Sequence, residues 1–427
     1  MNKKYMNAGK LEGKGSYGIV YSFPRLPFKK KYNFYDNNTL NYKNIETIEN
    51  ILNNNEVSKI FYLNKNNSSN INYYNEKNNY EIILKWNLPD IFFNKPLNYG
   101  IINHELINSH PNIYNLNWCE GDFYFKYAEN QITFKHGKEI KNDELDIFYK
   151  KFINLINCIN FLNENNIIFD DLKIDNILDI EDTYKLSDFS SLIKVNDINK
   201  KNFNQLLFYS SYYFIYLPYL NKLLKYAIYK KTIKNTNFNK ILKELENDVN
   251  NTNCNQYIKY FNKMIINITH FIKNYEEHKK NKLYVKIKYK FKKNINVKNN
   301  TKNNLQNNLQ NNKSQYIKLN VNNILNELYN SKFNSTNNEI FCKIILDYYN
   351  NDQIILNLIN RMNIYSLGII VLSKLNFDIS HKNRININIF LKLLQLVLLC
   401  CLNYIIIDNN IYIFEPNIEN ILKYYHK

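Results

Sequence analysis

The chain has 427 residues, of which 45% are hydrophobic, so it exceeds one ordinary domain and can form a large core. Its six cysteines lack the paired spacing of a zinc site, which excludes that class of metal centre, and most lie in apolar contexts typical of reduced intracellular cysteines. A net charge of +18 favours anionic partners.

A glycine cluster lies near the start of a chain that has only eight glycines. Gly13, Gly15 and Gly18 fall within six residues, with Ser16 between them and Val20 just after. Glycine lets a backbone approach a ligand closely and adopt φ values that a Cβ forbids. The spacing G-x-G-x-x-G-x-V is typical of a loop over nucleotide phosphates, and the alternative is an ordinary turn between two strands.

The rest of the N-terminal part is predicted to be mainly β-structure with one helix. Predicted strands cover residues 8–24, 80–86, 113–119 and 122–128. The strand at 80–86 is a β-branched apolar run that contains Lys85, and the predicted helix carries Glu105. Residues 30–78 are rich in Asn, Lys and Tyr and are interpreted as an insertion.

Acidic side chains follow short apolar runs in the middle of the chain. Asp171, Lys173 and Asn176 follow the run 167–169, and Asp188 follows further short strands that begin at Ile177. Acids between buried strands need partners or ions. The alternative is that they are solvated turn residues.

The C-terminal part is predicted to be mainly helical. Apolar residues recur at intervals of three and four at Leu145, Phe148, Phe152, Leu155, Ile156, Ile159 and Leu162. Further helices are predicted at 362–376, 386–402 and 416–425. The apolar run Leu393–Leu402 falls well short of the ~18–20 residues of a membrane span, so we interpret it as a core helix and expect no transmembrane segment. Met1–Tyr5 lack the apolar region of a secretory signal.

In this order the motifs resemble those of the eukaryotic-type protein kinase family, serine/threonine branch. The matched parts are the glycine-rich loop, the V-A-I-K lysine (Lys85), the αC glutamate (Glu105), the catalytic loop (169–176), D-F-G (188–190) and the start of helix αF (363–368). The resemblance covers most of residues 8–190 and 348–425.

The fold that this resemblance implies is α+β, a bilobal protein-kinase-like architecture. Residues 1–128 would form an N-lobe with a small antiparallel β-sheet and one helix, and residues 129–427 a larger, mostly helical C-lobe. Two long insertions, at about 30–78 and about 195–345, would interrupt these lobes.

The resemblance also implies a role for each matched residue. Those expected to bind ATP are Gly13, Gly15, Ser16, Gly18, Val20, Lys85, Glu105, the gatekeeper Phe125 and the hinge residues Tyr127 and Ala128. Asp171 would act as the base toward the substrate hydroxyl, and Lys173 would neutralise the γ-phosphate. Asn176 and Asp188 would hold Mg²⁺ through oxygen ligands, so ATP and Mg²⁺ are the expected cofactors.

Three residues depart from the family pattern at positions that regulate the enzyme or hold the catalytic loop in place. Asp170 replaces the arginine that normally receives a phosphorylated activation loop, so we expect no activation by phosphorylation there. Ser190 replaces the last glycine of D-F-G, which removes backbone freedom. Asn363 takes the position of the αF aspartate and keeps its hydrogen-bonding shape without its charge.

The second insertion is strongly basic. In Leu283–Phe291 lysines alternate with apolar residues, which predicts a strand with one basic face. That face could bind nucleic acid, an acidic substrate or an anionic membrane, and the alternative is a solvated face in a lysine-rich chain. The run Asn299–Asn312 is of low complexity, and helical patterns occur at 241–249 and 257–275.

The expected function is that of a serine/threonine protein kinase, which transfers the γ-phosphate of Mg-ATP to hydroxyl groups of a protein substrate. The alternatives are a pseudokinase, an ATP-binding scaffold whose basic insertion recruits partners, and a small-molecule kinase of similar fold. Abundant Asn, Lys, Ile and Tyr with scarce Ala, Gly and Pro are typical of AT-rich coding, as in a large DNA virus (poxvirus-like) or an AT-rich parasite. The expected location is the cytoplasm, that of the host if the protein is viral.

Overall fold

The computed structural model describes residues 11–14, 18–21, 25–35, 46–53, 55–61, 71–114, 119–120, 123–124, 129–169, 171–194, 254–289, 291–294, 315–330, 351–401, 404–407, 410–413 and 418–425. They fall into two compact units. The first unit lies within Met1–Glu139 and Ile177–Ser191, and the second within Ile140–Asn176 and Leu192–Lys427. The first unit therefore extends beyond the predicted boundary at residue 128 and includes the segment that carries Asp188.

The first unit is built on an antiparallel sheet. Its elements are β1 (Leu11–Lys14), β2 (Gly18–Tyr21), β3 (Phe28–Asn33), α1 (Ile48–Asn53), β4 (Glu56–Phe61), α2 (Ile71–Ile83), β5 (Asn98–Ile102), α3 (His104–Asn108), β6 (Cys119–Glu120), β7 (Phe123–Tyr124), β8 (Asn130–Lys135), β9 (Lys138–Glu139), β11 (Ile177–Ile180) and β12 (Thr183–Leu186). Six strands pair in the order β1-β2-β4-β8-β5-β3, and β12-β11-β9 form a smaller sheet. The pair β6–β7 is a separate short hairpin.

The predicted strand at 80–86 is wrong. Residues 71–83 form α2, and Leu84–Trp86 continue it as a 3-10 turn. Tyr73, Glu76, Tyr80 and Ile83 are its buried residues, and their spacing of three and four is that of a helix rather than a strand. The predicted insertion at 30–78 needs correction too, because β4 from this region lies inside the six-stranded sheet between β2 and β8.

Buried polar groups fix the start of β4. Arg25 is 1% exposed, and its guanidinium lies 2.6 Å from Glu46 and 2.8 Å from Glu56. The Ser58 hydroxyl accepts a hydrogen bond from the Leu26 backbone and donates one to Gln131 on β8. Because buried polar groups are costly unless satisfied, this network specifies the register of β4.

The second unit is mainly helical. Its elements are α4 (Leu145–Glu164), β10 (Ile167–Phe169), β13 (Leu192–Lys194), α5 (Cys254–Lys279), β14 (Tyr284–Tyr289), β15 (Phe291–Asn294), β16 (Gln315–Asn320), α6 (Val321–Asn330), α7 (Asn351–Ser380), α8 (Ile387–Cys401), β17 (Tyr404–Ile407), β18 (Asn410–Ile413) and α9 (Ile418–Tyr425). The strands pair as β10-β13, β14-β16 and β15-β18-β17. The architecture of the chain is therefore α+β, with a small antiparallel sheet and several helices.

The periodicity of the C-terminal part predicted its helices correctly. All seven apolar residues of the stripe from Leu145 to Leu162 are buried on α4. The apolar run that begins at Leu393 lies in α8, where Leu393, Leu394 and Leu396 are fully buried. None of the helices in the described part of the chain combines the length and the apolar composition that a membrane span needs.

Candidate functional site

A lysine, a glutamate and an aspartate meet in the first unit. The Lys59 ammonium on β4 lies 2.8 Å from Glu76 on α2 and 2.8 Å from Asp188, which follows β12. The Lys59 and Glu76 side chains are only 14% and 10% exposed, whereas that of Asp188 is 46% exposed. One ammonium is thus shared by two carboxylates, one of which is open to solvent.

The sequence of each element explains this arrangement. On β4, Val57, Lys59 and Phe61 share one face because side chains alternate along a strand. On α2, Glu76 belongs to the buried stripe that also carries Tyr73 and Tyr80. Phe61 contacts Tyr73 edge-on, with ring centroids 5.5 Å apart, so apolar packing holds the helix beside the strand and brings the two charges together.

Burial and charge shift the pKa values of this cluster. Burial raises the pKa of Glu76 to about 7, Asp188 adds to that increase, and Lys59 opposes it. Burial alone would lower the pKa of Lys59, but the Asp188 and Glu76 carboxylates outweigh it, so that pKa lies above its ordinary value. Lys59 therefore stays positively charged while Glu76 titrates near neutrality.

The segment around Asp188 is held by aromatic packing. Phe189 is fully buried, with its ring 5.2 Å from that of Tyr80 and 5.1 Å from that of Phe93. Asp188 adopts a φ of 51°, a left-handed conformation that aspartate tolerates better than most residues. The buried phenylalanine anchors the turn, and the turn directs the carboxylate to Lys59.

The structure places Lys85 and Glu105 elsewhere. Lys85 is exposed on the 3-10 turn after α2, and Glu105 is 85% exposed on the short helix α3. Glu105 lies 3.4 Å from Lys29, and no ion pair joins it to Lys85. The expected ion pair between Lys85 and Glu105 is therefore not formed, and a different lysine–glutamate pair, Lys59–Glu76, lies beside Asp188.

Sequence reasoning missed Lys59 and Glu76, although both left a signal. Lys59 lies in Val57-Ser58-Lys59-Ile60-Phe61, a short run with three apolar residues, two of them β-branched, inside a region dominated by Asn and Lys. Glu76 lies in a helical pattern of aromatic residues that extends into the run containing Lys85. Following that period across residues 71–83 would have identified the helix.

The glycine-rich segment forms a hairpin in the described residues on either side of its tip. β1 and β2 pair antiparallel, with Gly13 opposite Val20 and Lys14 opposite Ile19. Gly18 opens β2. Gly15 and Ser16, like Phe125, Tyr127 and Ala128, lie outside the described residues, so their predicted roles stay predictions.

A second polar cluster lies in the second unit, after β10. The Lys173 ammonium donates to both oxygens of Asp171, at 3.0 and 2.9 Å. The Asn176 amide donates to the Asp171 carboxylate at 2.8 Å and to its backbone oxygen at 2.9 Å. Asp171 is 29% exposed and Lys173 24%, so this predicted constellation is brought together and remains within reach of solvent.

Asn363 supports the start of this segment from α7. It is fully buried, and its amide nitrogen donates to the Ile167 carbonyl at 2.9 Å and to the Asn163 side chain at 2.8 Å. Its amide oxygen lies 3.3 Å from the backbone nitrogen of Phe169, which donates to it. An aspartate could not donate the first two bonds, so the amide is the chemistry that this site requires.

The oxygen atoms of Asp188 and Asn176 have the chemistry of magnesium ligands. The Asp188 side chain is nearly half exposed. The amide nitrogen of Asn176 donates to Asp171, so its amide oxygen is the atom that could bind a cation. In the described part of the chain no three His, Cys, Asp or Glu side chains cluster to hold a metal. Within the first unit, the Asp188 carboxylate fits Mg²⁺, which typically binds one or two carboxylates together with substrate phosphates.

Comparison with known proteins adds no family assignment. No protein-family model matches the chain, and no curated protein matches it significantly. The two polar clusters, one in each unit, therefore carry the functional proposal.

Proposed function

We propose that this protein is a serine/threonine protein kinase that transfers the γ-phosphate of Mg-ATP to a protein substrate. The observation that carries the proposal is the cluster of Lys59, Glu76 and Asp188. Asp188 was selected from its motif alone, and the residues found beside it are the types that a kinase needs, a strand lysine paired with a helix glutamate.

The roles expected of Lys85 and Glu105 pass to Lys59 and Glu76. Lys59 would hold the α- and β-phosphates, and Glu76 would orient its ammonium. Asp188 in the first unit and Asn176 in the second each offer an oxygen of the kind that binds Mg²⁺, an ion that neutralises phosphate charge when bound. Asp171 would accept or orient the substrate hydroxyl, and Lys173 would neutralise the γ-phosphate.

A second candidate for the adenine-binding backbone, beside the predicted hinge at Tyr127 and Ala128, is the connection that follows β8. β8 is the last strand of the six-stranded sheet in chain order, and His136 and Gly137 link it to β9. A Cβ on Gly137 would lie 2.6 Å from the Ile180 side chain and 2.8 Å from that of Leu178. This close approach to β11 explains the glycine and supports a compact connection at this point.

The test measures transfer of labelled γ-phosphate from Mg-ATP to generic protein acceptors under single-turnover conditions. We expect Lys59→Ala and Asp171→Asn to lose transfer and Lys85→Ala to retain it, because Lys85 is exposed and the lysine paired with Asp188 is Lys59. Activity that survives Lys59→Ala but not Lys85→Ala would contradict the assignment. ATP binding by the unmodified protein without any transfer would instead favour the nucleotide-binding scaffold.

A further inference from the structure

α2 crosses neighbouring strands of the six-stranded sheet and contacts each of them through a different side chain. Near the start of the helix, the rings of Tyr73 and of Phe61 on β4 are 5.5 Å apart. Farther along, the rings of Tyr80 and of Phe134 on β8 are 5.8 Å apart. Glu76 lies between these contacts on the same face of the helix, so they keep its carboxylate on the sheet side of α2.

The next strand, β5, holds α2 through a charge. The Lys77 ammonium lies 4.8 Å from the ring centre of Tyr99 on β5 and 2.7 Å from the Glu81 carboxylate, one turn farther along α2. Lys77 is only 18% exposed, so its charge is largely removed from solvent. The face of an aromatic ring attracts a cation, and the attraction is stronger when the cation is desolvated. The Tyr99 ring therefore holds the residue that directly follows Glu76.

The edge strand β3 supports this ring in turn. Tyr32 is paired with Tyr99 across β3 and β5, and their rings stack 5.4 Å apart. Phe34 directly follows β3, and its ring lies 4.7 Å from that of Tyr99 and 6.2 Å from that of Tyr80, which it meets edge-on. Phe34 therefore packs against both the sheet and α2.

The same cluster of rings continues to the segment that carries Asp188. The Tyr80 ring lies 5.2 Å from that of Phe189, the residue directly after Asp188. Protein interiors are close-packed, so a cavity at Phe34 would be felt at Tyr80 and beyond it. The cluster thus extends from the edge strand to both carboxylates that share Lys59.

We infer that Phe34 and Tyr99 are positioning residues that hold α2 where Glu76 meets Lys59. This inference rests on the proposed function, because the orientation of Lys59 affects transfer only if Lys59 binds the phosphates. Both rings act through α2, since Phe34 packs against a residue one turn after Glu76 and Tyr99 packs against the residue next to it. Loss of either ring should loosen α2 and leave the rest of the fold in place.

The experiment combines amide hydrogen–deuterium exchange of the full-length protein, without ATP, with single-turnover transfer of labelled γ-phosphate. Phe34→Ala should increase the exchange rates of residues 71–83 at least tenfold, while those of α4, the internal reference, change less than twofold. Transfer should fall by up to about 10²-fold, because small displacements of positioned groups are costly. Phe34→Leu refills most of the space and should restore most of both quantities.

The matched control is Phe271→Ala on α5. Phe271 is half-buried like Phe34, and its ring lies 4.9 Å from that of Phe390 at an interplanar angle of 48°. The corresponding values for Phe34 and Tyr99 are 4.7 Å and 56°. The control should leave the exchange of residues 71–83 and the transfer per folded molecule unchanged.

A second pair of variants tests the ring beside the cation. Tyr99→Phe keeps an aromatic face for Lys77 and should behave like the unmodified protein, whereas Tyr99→Leu removes that face and should speed exchange in α2. Equal exchange in these two variants would contradict the role of Tyr99. If Phe34→Ala does not fold, this pair decides the inference.

Three results for Phe34 would overturn the inference. They are unchanged exchange of residues 71–83 in Phe34→Ala, an equal increase of exchange in α4, and the same increase in Phe271→Ala. An unmodified protein that transfers no phosphate would contradict the proposed kinase function alone. The exchange of α2 is measured without ATP, so it would still decide whether the two rings hold the helix.

Discussion

Two lysine–carboxylate pairs in this protein have nearly the same length and different surroundings. The Lys59 ammonium lies 2.8 Å from Asp188 in the first unit, and that of Lys374 lies 2.7 Å from Asp378 in the second. Lys374 and Asp378 are both on α7 and are 0% and 3% exposed, whereas Asp188 is 46% exposed and belongs to a different element from Lys59. The exposure of the carboxylate, and its position on a different element from the lysine, therefore distinguish a carboxylate that a ligand can reach. The length of the ion pair does not.

The partners of each pair sharpen this contrast. Lys374 lies 5.9 Å from the ring centre of Phe148 and 5.8 Å from that of Phe377, and Asn383 donates a hydrogen bond to Asp378. These contacts enclose a balanced charge within the core. Lys59 instead faces two carboxylates, and the excess negative charge is one that a bound cation would neutralise.

The largest expected effect comes from removing the exposed carboxylate. Asp188→Asn should lower phosphoryl transfer by about 10²- to 10³-fold, because it removes the charge that would hold Mg²⁺ while keeping the size of the side chain. The melting temperature should change little because the group is half exposed. Rapid-quench assays measure the transfer rate, and thermal melting measures the stability. A large loss of stability with normal transfer would contradict the functional role of Asp188.

The enclosed pair should respond in the opposite way. Lys374→Met leaves Asp378 buried without its ion pair and should lower the free energy of unfolding by about 3–5 kcal/mol. Transfer activity per folded molecule should be unchanged. The double variant Lys374→Met with Asp378→Leu should recover most of the loss, since an apolar pair of similar volume replaces the charges. Failure of that recovery in urea unfolding would show that the pair does more than pack.

The pH dependence should separate the clusters further. Because Glu76 has a pKa of about 7, the Lys59–Glu76 ion pair forms as pH rises through 7, and kcat/KM should fall about tenfold per pH unit below it. The contribution of Glu76 to folding stability should instead decrease as pH rises. Between about pH 4.5 and 7 the native state binds more protons at Glu76 than the unfolded state, so this group's contribution to stability decreases as pH rises.

Glu76→Gln is the control for both predictions, the pH dependence of kcat/KM and the pH dependence of stability. It should lower activity at pH 8 and remove the acidic limb, while flattening the change of melting temperature across the same window. An acidic limb that persists in this variant would assign the titration to another group.

The smallest expected effect concerns Asn363, the amide that supports the segment before Asp171. Asn363→Asp replaces an amide nitrogen that donates to Ile167 and Asn163 with an acceptor, and should destabilise the protein by about 1–3 kcal/mol. Transfer should fall with it, because the backbone before Asp171 loses its support. In a double-mutant cycle, Asn163→Asp combined with Asn363→Asp should lower stability by more than the sum of the two single changes. Additive losses would indicate that the two amides act separately.

Local motifs predicted the second cluster and only part of the first. Asp171, Lys173 and Asn176 lie within six residues, so their spacing in sequence already constrains their geometry. Lys59 and Asp188 are brought together by sheet pairing and by packing of Phe189, which no short window contains. The β-branched residues before Lys85 favour a strand, but tertiary packing of Tyr73 and Tyr80 overrides that local preference in favour of a helix.

The Glu276 carboxylate accepts hydrogen bonds from the Leu283 backbone and from the Asn322 amide, and this junction has a consequence for how the chain can change in evolution. Because it fastens residue 283 to residues 320–322, the ends of the intervening excursion are fixed whatever its length. A change in the number of residues within 299–312 should therefore leave the pairing of β14 with β16 unaltered.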